Sequence, residues 1–328
     1  MGNLHWLKLL SGFAVAVASM LSPSSVSAQA FPSKPIRIVV PLSAGSQTDI
    51  LARMIGQKMA ETWQQPVVVE NYPGAGGQAG GRVVVNAVPD GHTLMLHSDG
   101  HAVSAALYNT KLPYDTLRDF CRVSLVATSP SVLLVAPSLG VKSVAELIAL
   151  AKATPAGLTF GSAGVGGGTH FTGEMFRLAT GIEATHVPFR GMPEAITETM
   201  MGRVSFVFSS LSPAWPYIKD GRVLAIAVGS PQRSPVLPNV PAVAESGFPG
   251  FGYELWFGLL APGRTPPQVV QQVSHEVARI MTLPDVKDRL VGQGLVPRGT
   301  TPEAFDSFLR AEIDKLSQVI KVAGIKAE

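Results

Sequence analysis

The sequence predicts an α/β protein built as two lobes, each with a mainly parallel sheet flanked by helices and joined by two extended hinge connections. Three observations carry this. Short apolar, β-branched runs alternate with segments of helical periodicity along the 328 residues, which is the order of strand and helix in α/β proteins. Most of the runs are continuous rather than alternating, as in strands buried on both faces of a sheet. Two long stretches poor in helix formers, 118–137 and 248–262, supply the connections between lobes.

The elements follow in order. Strands are expected at 36–40, 66–70, 93–97, 131–136, 158–161, 186–189, 204–208, 223–228 and 255–260, each ended by turn residues. Helices are expected at 48–63, 77–86, 144–153, 169–180, 193–201 and 213–219, with 266–281 and 302–322 closing the chain. Nine strands are many for one sheet of this length, so two sheets are preferred. The chain then leaves the first lobe near residue 127 and returns near 252. That gives lobe 1 as 31–126 plus 253–328 and lobe 2 as 127–252, an arrangement that closes by hinge motion around a small ligand.

Residues 1–30 are different in kind. Lys8 precedes an apolar stretch over 9–21, and a polar segment then ends in Ala28-Gln29-Ala30, the small-x-small pattern of a secretory signal. The apolar stretch is too short to span about 30 Å of hydrocarbon. Export to a bacterial periplasm, with cleavage near Ala30, is the expectation. Cys121 is the only cysteine, which rules out an intramolecular disulfide in a compartment that permits one. The formal charge is only +3 and Lys and Arg form no run, so the chain lacks the basic tract that nucleic-acid binding needs.

Three loops share one construction, a buried strand, then small residues, then a helix start. They are "VVPLSAGSQTDILARM", "ENYPGAGGQAGG" and "GSAGVGGGTHFTGE". Unpaired N–H groups at the positive end of a helix dipole suit an anion. A nucleotide is not expected. Gly168-Thr169-His170 has no P-loop lysine, and Gly164-x-Gly166 is followed by Thr169 where a dinucleotide fingerprint has its third glycine. A carboxylate is the anion that fits.

Other chemistry finds no footing. His170 and Glu174 are one helical turn apart, but no third ligand is evident; His92 and His97 fall on opposite faces of a strand, which spoils a chelate with His101, Asp90 or Asp99. No metal or other cofactor is therefore expected. There is no Gly-x-Ser-x-Gly, no histidine partner for Cys121 and no carboxylate pair in a glycine-rich loop, so no residue is assigned a catalytic role.

Eight segments, taken in order and spacing, carry a resemblance that covers essentially the whole chain after residue 30. They are "KPIRIVVPLSAGSQTDILAR", "VVVENYPGAGGQAGGRVV", "PDGHTLMLHS", "YDTLRDF", "GSAGVGGGTHFTGEMF", "HVPFRG", "GRVLAIAVGSPQRSPVLPNVPAVAESGFPGF" and "WFGLLAPGRTPPQVV". Together they resemble the substrate-binding proteins of tripartite tricarboxylate transporters, the Bug-type receptors. The resemblance implies a type II periplasmic-binding-protein fold, a monomer that captures a small mono-, di- or tricarboxylate and delivers it to membrane permease subunits. It places Leu42, Ser43, Ala44, Gly45 and Ser46 on one side of the ligand and Ser162, Ala163, Gly164, Thr169 and His170 on the other.

Thr48, Ser98 and Ser209 join this candidate set. Asp49 has two readings, helix capping worth about 1 kcal/mol or ligand contact. Arg190 also has two, a fork for a second carboxylate or a solvated surface residue, and Trp215, Tyr253 and Trp256 belong either to the cleft or to the core. The chain departs from the family where Ser46 and Gln47 replace paired glycines, and where Ser209 and Ser210 follow a strand after which relatives commonly carry aspartate. A serine offers only a neutral hydroxyl, so the expected ligand has no positively charged amine. An exported carboxylate sensor for a two-component kinase, and an exported hydrolytic enzyme, are the rival readings.

Overall fold

The computed structural model describes residues 31–74, 77–108, 111–165 and 167–325. The expected secretory segment and its cleavage point lie outside the described residues. From Lys34 onward the described residues pack as one unit.

Its first part alternates strand and helix: β1 (Ile36–Val40), α1 (Gln47–Trp63), β2 (Val67–Asn71), α2 (Gln78–Val85), β3 (Thr93–Ser98) and α3 (Gly100–Tyr108). A strand of sixteen residues follows, β4 (Phe120–Val135). The second alternating series is α4 (Val144–Ala153), β5 (Leu158–Ser162), α5 (Gly168–Thr180), β6 (Ala184–Pro188), α6 (Met192–Met200), β7 (Phe206–Ser210), α7 (Leu211–Lys219) and β8 (Leu224–Val228). The chain returns through β9 (Glu254–Pro262) and ends with α8 (Pro267–Thr282), α9 (Pro284–Gly292), β10 (Val296–Pro297) and α10 (Pro302–Ala323).

The strand order is β2-β1-β3-β9-β4-β7-β5-β6, with β8 and β10 also paired to β4. The outer trios are parallel: β1 with β2 and β3, β5 with β6 and β7. The middle is antiparallel. β4 runs against β9 from Phe120↔Pro262 to Pro130↔Glu254, and from Ser131 onward it pairs with β7 on one side and β8 on the other. Two mainly parallel sheets were expected; each half has its parallel trio, and the two sheets are continuous because β4 belongs to both, which makes the whole a mixed ladder. The reason is the length of β4. It is long enough to serve as a central strand in both halves, and the extended stretches 118–137 and 248–262 are the strands that join them.

Burial explains the continuous apolar runs. Ile36, Ile38, Val39 and Val40 in β1 and Leu94, Met95 and Leu96 in β3 have no exposed surface. Near β3 and β9 the core gathers Val39, Met95, Phe120, Trp256 and Phe305; around β4, β5 and β7 it gathers Leu133, Phe160, Phe176, Phe206 and Phe208. α5 belongs to both, since Phe171 packs into the first cluster and Phe176 into the second. Tyr253 and Trp256 are fully buried core residues, and Trp215 packs partly buried against a third cluster.

Three elements were not read from the sequence. α3 opens on Gly100-His101, poor helix formers. α9 is separated from α8 by Leu283 alone, held extended at φ −63°, ψ 133° because the following Pro284 excludes helical geometry there. β10 has only two residues.

Candidate functional site

Four of the strands in the two parallel trios, β1, β3, β5 and β7, end beside one cavity of about 560 Å³, and each is followed by a helix that starts there. From the first loop it is lined by Leu42, Ser46, Gln47 and Thr48, and from the loop after β5 by Ala163, Gly164, Gly168 and Thr169. Ser98, Asp99 and Gly100 line it from the β3–α3 corner. Seven of the expected site residues are thus brought together: Leu42, Ser46, Thr48, Ser98, Ala163, Gly164 and Thr169.

The first loop is shaped from within. A turn is closed by the Ser46 N–H donating to the Ser43 carbonyl at 3.1 Å, with Gly45 at φ +78°. Ser46 is the N-cap of α1, its Oγ accepting the Asp49 N–H at 3.3 Å. The buried Asp49 carboxylate accepts from the Gly45 N–H at 2.9 Å, from Arg53 Nε at 3.1 Å and from Asn71 Nδ2 at 3.0 Å. Burial raises its pKa, but the bonds from Arg53, Gly45 and Asn71 outweigh this and hold the carboxyl below its ordinary range. Asp49 therefore faces its own loop rather than the cavity. Ser43, Ala44 and Gly45 are exposed and do not line it.

The second loop is locked by two hydroxyls. Ser162 is fully buried; its Oγ accepts the Gly164 N–H at 3.1 Å and lies 2.7 Å from His186 Nε2. Thr169 Oγ1 accepts the Ala163 N–H at 3.0 Å, and Gly164 takes φ +123°, open to glycine but strained for other residues. Ser162 is thus a support for the loop and does not line the cavity. His170 also stands behind it, its ring stacked on His186 at 3.9 Å. Burial, and then the nearby His186, push the His170 pKa down to about 4.

The third corner was not among the glycine-rich loops singled out in the sequence; the "ENYPGAGGQAGG" loop, which was, does not line the cavity through its described residues. Asp99 is 5% exposed, and its Oδ2 accepts the Tyr253 hydroxyl at 2.7 Å. Its carbonyl receives the N–H groups of Ala102 and Val103, each at 3.0 Å, which starts α3. The signal was present as an Asp before an apolar pattern at Ala102 and Val103, a helix N-terminus signature.

Two further expectations need correction. Ser209 is fully buried with its hydroxyl donating to the Ser210 carbonyl at 2.8 Å, and Ser210 lines the cavity instead; neighbouring residues of a strand face opposite sides. Arg190 is exposed and outside the cavity, its N–H donating to Glu194 at 3.2 Å. No Lys or Arg stands among the described lining residues. Val165, Met192, Leu255 and Phe257 add apolar surface to the lining. Among the described residues no three His, Cys, Asp or Glu side chains converge as a metal site. A second cavity of about 590 Å³ lies beside residues 112–119 and Ile313, away from the starts of α1 and α5.

Helix geometry completes the picture. The first N–H groups of an α-helix have no acceptor within it and carry partial positive charge. The first two residues of α1, Gln47 and Thr48, and the first two of α5, Gly168 and Thr169, face the same cavity. The profile of the family described as "Tripartite tricarboxylate transporter family receptor" matches residues 51–325. The chain belongs to the tripartite tricarboxylate transporter receptor family.

Among its relatives, a Pseudomonas sp. (strain P51) protein from the tcbD-tcbE intergenic region is 36% identical over 324 residues, 98% of this chain and 95% of that one. Protein BugT of Bordetella pertussis is 31% identical, covering 99% of both chains. Of the solved structures, an R. palustris protein with adipate superposes with TM-score 0.82 at 32% identity, covering 90% of this chain and 99% of the other. MatC from Rhodopseudomonas palustris with bound malate gives 0.77 at 32% identity, over 88% and 100%. The fold is that of this family of periplasmic binding proteins, α/β with helices on both faces of a mixed sheet.

Proposed function

We propose that this receptor captures a small organic carboxylate in the cavity between the starts of α1 and α5 and delivers it to the permease subunits of a tripartite tricarboxylate transporter. One observation carries the reading: the opening residues of two helices from different parallel trios line one cavity. Adipate and malate in two related structures support the ligand class. Leu42, Ser46, Thr48, Ala163, Gly164 and Thr169 make the anion end, with Ser98 and Ser210 as neutral hydroxyls; Asp49, Ser162 and His170 hold the loops in shape. A few charge-assisted hydrogen bonds at about 1.5–3 kcal/mol each reach the roughly 8 kcal/mol of a micromolar complex.

The two halves, 31–126 with 253–328 and 127–252, act as lobes that a bound ligand draws together, and the closed form is what the permease reads. The mature protein works in the periplasm as a monomer after cleavage near Ala30. No catalysis is required. Ser162 and His186 approach each other, but the hydroxyl is sealed from the cavity and serves the Gly164 amide, so it is no nucleophile. A thermal-shift screen with mono-, di-, tri- and aromatic carboxylates tests the proposal, since saturation at a hundred times the dissociation constant adds about 2.7 kcal/mol. At least one acid stabilises the protein and is recovered unchanged after long incubation; no response to any acid, or turnover of one, contradicts it.

A further inference from the structure

An acidic side chain inside an anion site calls for an account. Asp99 lines the same cavity as the openings of α1 and α5 and is almost fully buried. A methyl group placed on Gly168, the first residue of α5, would fall 1.7 Å from Asp99 Oδ2. The carboxyl is therefore seated directly against the helix start that the proposed ligand uses. Two carboxylates cannot both stay ionised at such close quarters in a buried site without one pKa rising steeply.

We infer that Asp99 couples carboxylate capture to the uptake of one proton from solvent, so that the cavity takes in the ligand anion and neutralises its own carboxyl in the same event. This rests on the carboxylate reading of the cavity. The groups around Asp99 leave it as the titrating member. The Tyr253 hydroxyl donates to it and is held protonated, its pKa driven well above the ordinary value by burial and by Asp99. From α10, Glu312 adds a like charge, and Lys315 lies over the Tyr253 ring at 5.4 Å while paired with Glu312 at 2.6 Å. His97, on β3, and His101, on α3, are kept neutral by burial, the first down to about 3 and the second well below its ordinary value. On α5, His170 titrates near 4. Asp99 itself is raised to about 6, chiefly by burial, so in the free protein it is mostly ionised at neutral pH and has room to take a proton.

The sign follows. With a free-state pKa near 6 and a higher one in the complex, affinity rises as pH falls through the bound value, by up to about tenfold per pH unit, and levels off below about 6. Above about pH 6 the ligand carboxyl, whose ordinary pKa is about 4, is ionised and adds little to the count. Titration calorimetry with adipate, malate, hexanoate and benzoate, in buffers of different ionisation enthalpy between pH 8 and pH 5.5, counts the protons. The wild type takes up a substantial fraction of one proton per ligand near pH 7. Asp99→Asn, which keeps an acceptor for Tyr253, binds with little pH dependence and no uptake. Wild-type binding with no proton uptake and a flat pH profile overturns the inference while leaving the carboxylate reading intact. A pH slope that survives in Asp99→Asn overturns it too. Binding of none of the four acids removes the reading on which it rests.

Discussion

Gly168→Ala is the substitution for which the structure dictates the largest consequence from the smallest change. Its methyl group would lie 1.7 Å from Asp99 Oδ2 and 2.7 Å from Leu255 Cδ2, about half and four-fifths of an ordinary contact. Either the start of α5 retreats from the β3–α3 corner or Asp99 swings away from Tyr253. The first route opens the cavity at the start of α5. The second breaks a 2.7 Å bond between buried groups, worth about 1.5–3 kcal/mol for a charged acceptor. Overpacking of this kind typically costs about 1–3 kcal/mol, and Ala returns only part of the roughly 1 kcal/mol of helix propensity that Gly lacks. The expected outcome is a loss of about 1–3 kcal/mol in urea or thermal unfolding. Affinity for the preferred acid falls at least tenfold, about 1.4 kcal/mol. Gly292→Ala, with nothing within 4 Å of the added methyl group, is the control and leaves both quantities unchanged or slightly improved. Unfolding and binding by Gly168→Ala that match the wild type would refute the close approach of α5 to Asp99.

Other outcomes follow from the same geometry. Asp49→Ala removes the acceptor for Gly45, Arg53 and Asn71; urea unfolding shows a loss of about 2 kcal/mol, and calorimetry a weaker ligand although Asp49 does not line the cavity. Because the folded carboxyl is held below its ordinary range, that contribution is complete above about pH 4 and disappears as pH falls through the folded pKa, so mutant and wild type converge in acid. Thr169→Val leaves the Ala163 N–H without its 3.0 Å acceptor and lowers affinity about tenfold with about 1 kcal/mol of stability, measured by calorimetry and thermal melts. His170 and His186 titrate near 4 in the folded chain, both chiefly through burial, against an ordinary 6.5. The unfolded chain therefore takes protons first, and stability falls between about pH 6.5 and 4 by up to about 1.4 kcal/mol per pH unit for each ring. Melts of His186→Gln over that range show a shallower slope than the wild type.

The elements were legible because burial on both sheet faces leaves continuous apolar runs. β1 and α4 fall at the expected residues, and most others within two or three. What the pattern could not convey was length and partnership. β4 begins at Phe120, and its first half mixes Cys121, Arg122 and Ser124 into the run, so only its last residues read as a strand; nothing local says that it serves both halves of the sheet. The site was half legible for a related reason. Loop composition marks where amides are left unpaired, which pointed to the loops after β1 and β5; the resemblance then named Ser46, Gly164 and Thr169 within them, and these with Thr48 line the cavity. Which side chain then turns inward is decided by tertiary packing. Asp49 turned toward Arg53 and Asn71, Ser209 turned away where Ser210 turned in, and His170 stacked on His186 behind the loop. Asp99 was weighed only as a metal ligand, because it sits after a strand in an ordinary-looking turn, with its partner Tyr253 distant in the chain.

The central claim is that opposed helix starts grip one carboxylate. A crystal structure with the acid that stabilises the protein most tests it directly. Its carboxylate oxygens are expected within about 3 Å of the Thr48 and Thr169 N–H groups, with the rest of the molecule against Met192, Leu255 and Phe257. An acid bound outside this cavity, or bound with its carboxylate on Met192, Leu255 and Phe257 instead of the two helix starts, would contradict the account.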